Sequence, residues 1–113
     1  MAAAHPQPSK DPKVAAAWNK AHAIKEEIDS WISKMQKQKN LSPTREQLEE
    51  IAEKLLEYIS KNHEVIAPND RFLKAAVIDL TEVPEMAPQM QRLSFLTSLK
   101  DASKNMDEFL GCL

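Results

Sequence analysis

The chain has 113 residues with one glycine and seven prolines, and its formal net charge is −2. This length fits a single domain with one modest core, and so little glycine excludes glycine-rich phosphate loops and disfavours β-hairpins. The small negative charge gives no electrostatic reason to expect binding to nucleic acid.

The cysteine and hydropathy patterns favour an intracellular protein, either nuclear or cytoplasmic. Cys112 is the single cysteine, so no disulfide can form within the chain. Residues 1–14 lack the apolar core of a secretory signal. No stretch approaches the roughly 20 apolar residues of a membrane span, so we expect no membrane association.

Residues 1–10 are rich in Ala and Pro and are predicted to be a disordered lead-in or linker, which leaves 11–113 as one folded domain. Asp11 and Pro12 then form a helix-start signal, with Asp as N-cap and Pro at the first helical position. Apolar residues recur every three or four positions as far as about Gln38, which predicts one long amphipathic helix. Its apolar side, named here the helix 1 seam, consists of Val14, Ala17, Ala21, Ile24, Ile28, Trp31 and Met35.

The helix 1 seam leaves two alternatives open. Its spacing is also the a/d pattern of a coiled coil, held for about three heptads. The seam can therefore pack inside its own chain or pair with a second copy in a homodimer. Residues 1–40 hold seven Lys against four acidic residues, whereas residues 41–67 hold three basic residues against six Glu. This difference suits antiparallel packing of the first helix on the second, although solvated faces that happen to differ in sign are the simpler interpretation.

Helix 2 is predicted to begin with Ser42 as its cap and Pro43 at the first position, and to end near Asn62. Helix 3 follows a cap at Asn69 or Asp70. It is apolar on most sides, which is typical of a central, buried helix.

Pro84 ends or kinks helix 3, because the residue before proline is pushed out of the α region. Pro88 opens helix 4, and Gly111 is its predicted C-cap. The apolar residues of helix 4 are Leu93, Phe95, Leu96, Leu99, Ala102, Met106 and Phe109, and positions 95, 99, 102, 106 and 109 among them form a stripe with 4-3 spacing. The sequence therefore predicts an all-α fold, a compact bundle of four to five helices.

No arrangement of residues points to catalysis or to a metal. His22 and Glu26 lie on one helix face, but a zinc site needs three or four converging ligands. The paired Glu-x-x-His motifs of a di-iron bundle are absent at inward positions. Cys112 and Ser94 have no histidine placed to activate them. We therefore expect no enzyme, no metal and no cofactor.

Five residues are candidates for binding a protein partner. Trp18 lies beside the seam among small alanines, and is either core or an anchor for a partner, since Trp is enriched in binding hot spots. The other four are apolar side chains in the connectors between helices, namely Val65, Ile66, Val83 and Met86. These four either fold under the end of the bundle or form an apolar docking surface.

From Ala23 to Leu110 the chain resembles the LEDGF integrase-binding domain and, more loosely, the TFIIS N-terminal domain family. The resemblance is carried by four segments in order: Ile24-Lys-Glu-Glu-Ile28, Leu48-Glu-Glu-Ile51, Phe72-Leu-Lys-Ala-Ala-Val77, and a final helix from Arg92-Leu-Ser-Phe-Leu96 to Lys104-Asn-Met106. It implies a right-handed helical bundle that binds short disordered motifs of transcription and chromatin proteins through its interhelical loops.

The sequence thus predicts a non-enzymatic interaction module that docks a short linear motif or an amphipathic helix of a partner protein. The alternative is a self-association domain, in which the helix 1 seam pairs with its copy. The two hypotheses differ in whether the seam is buried within one chain.

Overall fold

The computed structural model describes residues 11–113, which form five α-helices and no strand. In chain order they are α1 (Pro12–Lys37), α2 (Arg45–Lys61), α3 (His63–Ile66), α4 (Asp70–Thr81) and α5 (Pro88–Cys112). The predicted all-α bundle of four to five helices is confirmed. Residues 1–10, predicted to be a lead-in or linker, lie outside the described residues.

Polar contacts between the helices define an up-down-up-down bundle. α1 and α5 are antiparallel, and the Ser103 hydroxyl of α5 donates to the Asp29 carboxylate of α1 at 2.5 Å. α2 lies between α1 and α4, with Lys54 of α2 bonded to Glu27 of α1 at 2.8 Å. α4 then packs against both α2 and α5, which closes the ring of four helices. The one-turn helix α3 links α2 to α4.

The helix 1 seam is part of the internal core. Ala17, Ala21, Ile28 and Met35 are buried, and Val14, Ile24 and Trp31 are half-buried. The seam packs chiefly on α5, which has nearly the same length as α1. All of the stripe predicted for this last helix is buried, namely Phe95, Leu99, Ala102, Met106 and Phe109. The predicted antiparallel pairing of α1 with α2 is present, but it is the smaller contact.

The start of α1 follows its sequence signal, whereas the start of α2 does not. Asp11 caps α1 by accepting a backbone N–H of the first turn at 2.9 Å. The predicted start of α2 at Ser42 is wrong, because Thr44 is the N-cap and exchanges hydrogen bonds with Gln47 in a capping box. Pro43 is buried just before this cap, where an apolar residue can pack against the first turns of the helix.

α4 is less central than predicted. Leu73, Ala76 and Leu80 are buried, but Ile78 is 51% exposed. α4 packs on α2 and α5 and leaves its remaining side to solvent, while the central position belongs to α5, which contacts both α1 and α4. Gly111 also differs from its prediction: it is a helical residue of α5 without a positive φ, since the helix continues to Cys112.

Candidate partner-binding surface

The structure separates the five predicted binding residues into core and surface. Trp18, Ile66 and Val83 are 5%, 0% and 7% exposed, and Val65 is half-buried against the core. Met86 is 44% exposed. A buried side chain presents no surface to a partner, so for Ile66 and Val83 the structure favours the alternative in which they fold under the bundle, and of the five residues only Met86 offers a large apolar contact.

Local geometry explains why these connector residues turn inward. Asn62 ends α2, and its carbonyl accepts the N–H of Ile66 at 3.1 Å, which winds residues 63–66 into α3 and points Ile66 into the core. The backbone of Val83 is held by Arg45, whose Nη1 donates to the Val83 carbonyl at 2.6 Å. The same guanidinium lies 5.5 Å from the centre of the Phe95 ring, within range of a cation–π contact.

Arg45 and Gln91 fix the α4–α5 connector, residues 82–87. Nη2 of Arg45 donates to the Pro84 carbonyl at 3.4 Å and to Oε1 of Gln91 at 3.3 Å. The Gln91 amide nitrogen donates to the Pro84 carbonyl at 3.0 Å, and its Oε1 accepts the N–H of Met86 at 3.0 Å. The connector is therefore tied both to α2 and to the first turn of α5.

Arg92 makes the equivalent connection on the other side of α5. Its Nε donates to the Leu41 carbonyl at 2.9 Å, and its Nη2 donates to the carbonyls of Gln38 at 3.1 Å and of Met35. The Met35 carbonyl belongs to the last turn of α1, where unpaired carbonyls carry partial negative charge. Sequence reasoning missed both arginines, because nothing in a pattern shows that an arginine will donate to carbonyls about 40 to 57 positions away.

Three exposed apolar side chains lie at the start of α5. Met86, Met90 and Leu93 are 44%, 57% and 53% exposed. Met90 and Leu93 are three residues apart and lie on one side of the helix, and Met86 lies in the connector two residues before the helix begins. We name these three residues the α5 patch. Met86 was predicted from its position in a connector, but Met90 and Leu93 were not, because an apolar residue in an amphipathic helix is usually assigned to the core.

The chain segment that carries the start of the α5 patch is acidic. Glu82 and Glu85 are exposed in the connector, and Glu46 is exposed at the start of α2, next to Arg45. Residues 82–91 contain no Lys or Arg. The patch therefore combines apolar contact area with a negatively charged connector.

Two titratable groups outside this surface have altered pKa values. Burial raises the pKa of Tyr58 well above its ordinary value, and its hydroxyl donates to the Ala17 carbonyl at 2.7 Å. Loss of hydration raises the pKa of Asp79, and repulsion from Asp101 raises it further. A hydrogen bond from Asn105 at 2.7 Å opposes this rise. Both side chains link one helix to another through these hydrogen bonds, and neither lies in a cleft.

Other kinds of site receive little support from residues 11–113. No group of three or more His, Cys, Asp or Glu side chains in this range could hold a metal ion. An open groove of about 560 Å³ between the start of α1 and the end of α2 is lined by residues such as Lys13, Lys61 and His63. It contains no buried polar group directed at a ligand. No helix in the described part of the chain has the length and apolarity to cross a membrane.

Comparisons with known proteins point to no function, because no family model, no curated protein and no solved structure matches the chain. The resemblance to the LEDGF integrase-binding domain therefore stays a prediction.

Proposed function

We propose that this protein is a non-enzymatic interaction module whose α5 patch docks a helical segment of a partner protein. The observation that carries the proposal is that three large apolar side chains, Met86, Met90 and Leu93, are exposed within one short stretch of the chain at the start of α5. Single exposed apolar residues are common on protein surfaces, whereas grouped ones are typical of interaction sites. Methionine also adapts its shape to a bound surface.

The support beneath the patch suits a binding site. The hydrogen bonds of Arg45 and Gln91 hold the connector and the first turn of α5 in one arrangement before any partner arrives. A surface that is ordered in advance loses less conformational entropy on binding. The sites of contact are therefore placed on a rigid element, as specific recognition requires.

The resemblance to the LEDGF integrase-binding domain supports the same kind of role. It implies recognition of protein segments at interhelical connectors in transcription or chromatin regulation, and the α5 patch begins at such a connector. A nuclear or cytoplasmic location belongs to this proposal. The alternative, a homodimer formed through the helix 1 seam, has less support because most of that seam is already covered by α5.

A displayed library of short peptides tests the proposal directly. Peptides enriched on the protein should lose affinity by about tenfold or more towards Met90→Asp, because the charge enters the centre of the α5 patch. They should keep their affinity for Ile78→Asp, which makes the same kind of change at a similarly exposed position on α4. Binding that tolerates Met90→Asp, or a library that yields no binder, would overturn the proposal.

A further inference from the structure

We infer that the segment that docks on the α5 patch is a basic amphipathic helix, with Lys or Arg along the edges of its apolar side. This inference rests on the proposed function and specifies the chemistry of its partner. It follows from the charges in the connector, from the engagement of the arginines that bond to the connectors, and from the spacing of the exposed residues.

Two exposed acidic residues lie in the connector that carries Met86. Glu85 directly precedes Met86 in the chain, and Glu82 lies at the other end of the same connector. Both are exposed, and the connector that carries them is held in place by Arg45. Cationic side chains on a partner therefore meet fixed opposite charges, which guides encounter and sets orientation.

The two arginines that bond to the connectors on either side of the start of α5 are already engaged. Arg45 and Arg92 are half-buried and direct their donors to carbonyls of the connectors and of α1. Lys37 and Lys39 lie at the end of α1, beside Arg92. Because residues two apart on a helix point to nearly opposite sides, Met90 faces away from Arg92 and from that end of α1. An acidic partner on the α5 patch thus finds repulsion from glutamates and no free arginine.

The shape of the patch favours a helix as the occupant. Met90 and Leu93 lie about one turn apart on one side of α5, and Met86 lies in the connector just before the helix begins. Helix residues with this spacing pack into the groove between residues of another helix. The partner is therefore expected to supply apolar residues at i, i+3 or i+4, and i+7, with cations beside them.

A second copy of this chain fits the patch less well. A two-fold interface places the same surface on both sides, so Glu82 and Glu85 would approach their own copies. Like charges across an interface oppose association. Three side chains also cover much less than the roughly 800 Å² per partner of a stable interface. Any partner that docks on the α5 patch is therefore expected to bind transiently, with a Kd in the micromolar range or weaker.

Three matched helical peptides test the inference. They share one apolar side and carry either Lys, Gln or Glu at the flanking positions, and the methyl signals of Met86 and Met90 are followed by NMR during titration. The Lys peptide is expected to bind at least about tenfold more tightly than the Glu peptide, with the Gln peptide between them. Added salt should reduce the difference, because the charges are exposed.

A variant pair assigns the preference to the acidic connector. The double variant Glu82→Gln/Glu85→Gln should remove most of the advantage of the Lys peptide. The control Glu53→Gln/Glu108→Gln changes the net charge equally at exposed sites on α2 and at the far end of α5, and it should leave the advantage unchanged. An equal loss in the two variants would show a general charge effect and would overturn the inference.

The outcomes distinguish failure of the inference from failure of the proposed function. If Gln or Glu peptides shift the Met86 and Met90 signals at concentrations as low as the Lys peptide does, the basic partner is wrong and the docking surface remains. If no peptide shifts these signals, including those enriched from the library, the docking surface itself is wrong. A Lys peptide that binds without moving the two methionine signals overturns the inference as well.

Discussion

Arg92 connects parts of the chain that sequence separates by more than 50 residues. Its guanidinium donates to the carbonyls of Leu41, Gln38 and Met35, and so holds the end of α1 and the connector after it against α5. Hydrogen bonds from a charged donor are each worth roughly 1.5–3 kcal/mol, and the forked shape of arginine allows several to form together.

We therefore expect Arg92→Ala to lower the free energy of unfolding by about 2–3 kcal/mol, measured by urea denaturation. Arg92→Lys should recover less than half of this loss, since an ammonium group cannot reach diverging carbonyls as a planar fork does. Arg71→Ala is the control, because Arg71 is exposed and its guanidinium lies 4.8 Å from the centre of the neighbouring Phe72 ring. Equal effects of Arg92→Ala and Arg71→Ala would contradict the structural role of Arg92.

Asp79 should make stability depend on pH. Loss of hydration first, and then repulsion from Asp101, raise its pKa in the folded state above the unfolded value. The folded state therefore binds this proton more tightly. The stabilising contribution of the protonated Asp79 carboxyl is complete below the unfolded pKa of about 3.9. It is lost as the pH rises through the folded pKa.

Asp79→Asn removes this titration, and its amide oxygen can still accept the hydrogen bond from Asn105. The variant is expected to gain stability relative to the parent protein as the pH rises from about 4 to about 7, by less than about 1 kcal/mol because water screens a partly buried group. Thermal unfolding at several pH values measures the difference. Glu53→Gln, at an exposed site on α2, is the control; a pH-independent difference for Asp79→Asn would contradict the argument.

At the scale of helices, the start of α2 shows how two sequence signals compete. Ser42-Pro43 and Thr44-x-x-Gln47 both resemble helix starts, and the structure selects the second because Gln47 can bond back to the cap. Thr44→Ala should lower the free energy of unfolding by about 1 kcal/mol. Ser42→Ala should cost less than about 0.5 kcal/mol, since the Ser42 hydroxyl donates only to the adjacent Pro43 carbonyl. If chemical denaturation showed a larger loss of stability for Ser42→Ala than for Thr44→Ala, the cap would lie at Ser42.

α3 provides the clearest test of which connector residues are core. Ile66 is fully buried and Met86 is 44% exposed. Ile66→Ala should therefore lower the free energy of unfolding by about 2–4 kcal/mol through the lost contacts and the cavity, while Met86→Ala should change it by less than about 0.5 kcal/mol. A small effect of Ile66→Ala would restore the hypothesis that α3 presents a docking surface.

The sequence could not distinguish these two residues, because both lie in short connectors. Periodicity assigns an inward or outward side only where several turns share one axis. The outer side of α5 was missed for the opposite reason. Met90 and Leu93 lie among residues whose stripe was predicted correctly, and only the absence of a neighbouring helix shows that they are exposed.

At the scale of the whole molecule, spacing and composition predicted the all-α class and the apolar sides of α1 and α5. They did not predict which helix covers which. The opposite charges of α1 and α2 suit their pairing, yet exposed ion pairs such as Lys54–Glu27 contribute little. Apolar area decides the packing instead, and α5 offers an apolar side as long as that of α1.

This packing predicts the behaviour of the chain in solution. Sedimentation over a range of concentrations should give the mass of one chain, 12.8 kDa, because the helix 1 seam is already covered by α5. Ile28 is fully buried in that seam, so Ile28→Asp should unfold the protein by placing a charge in the core. Met90→Asp should leave it folded, with circular dichroism and mass unchanged. A dimer that Ile28→Asp converts into a folded monomer would show that the seam pairs two chains, and would make self-association the function to pursue.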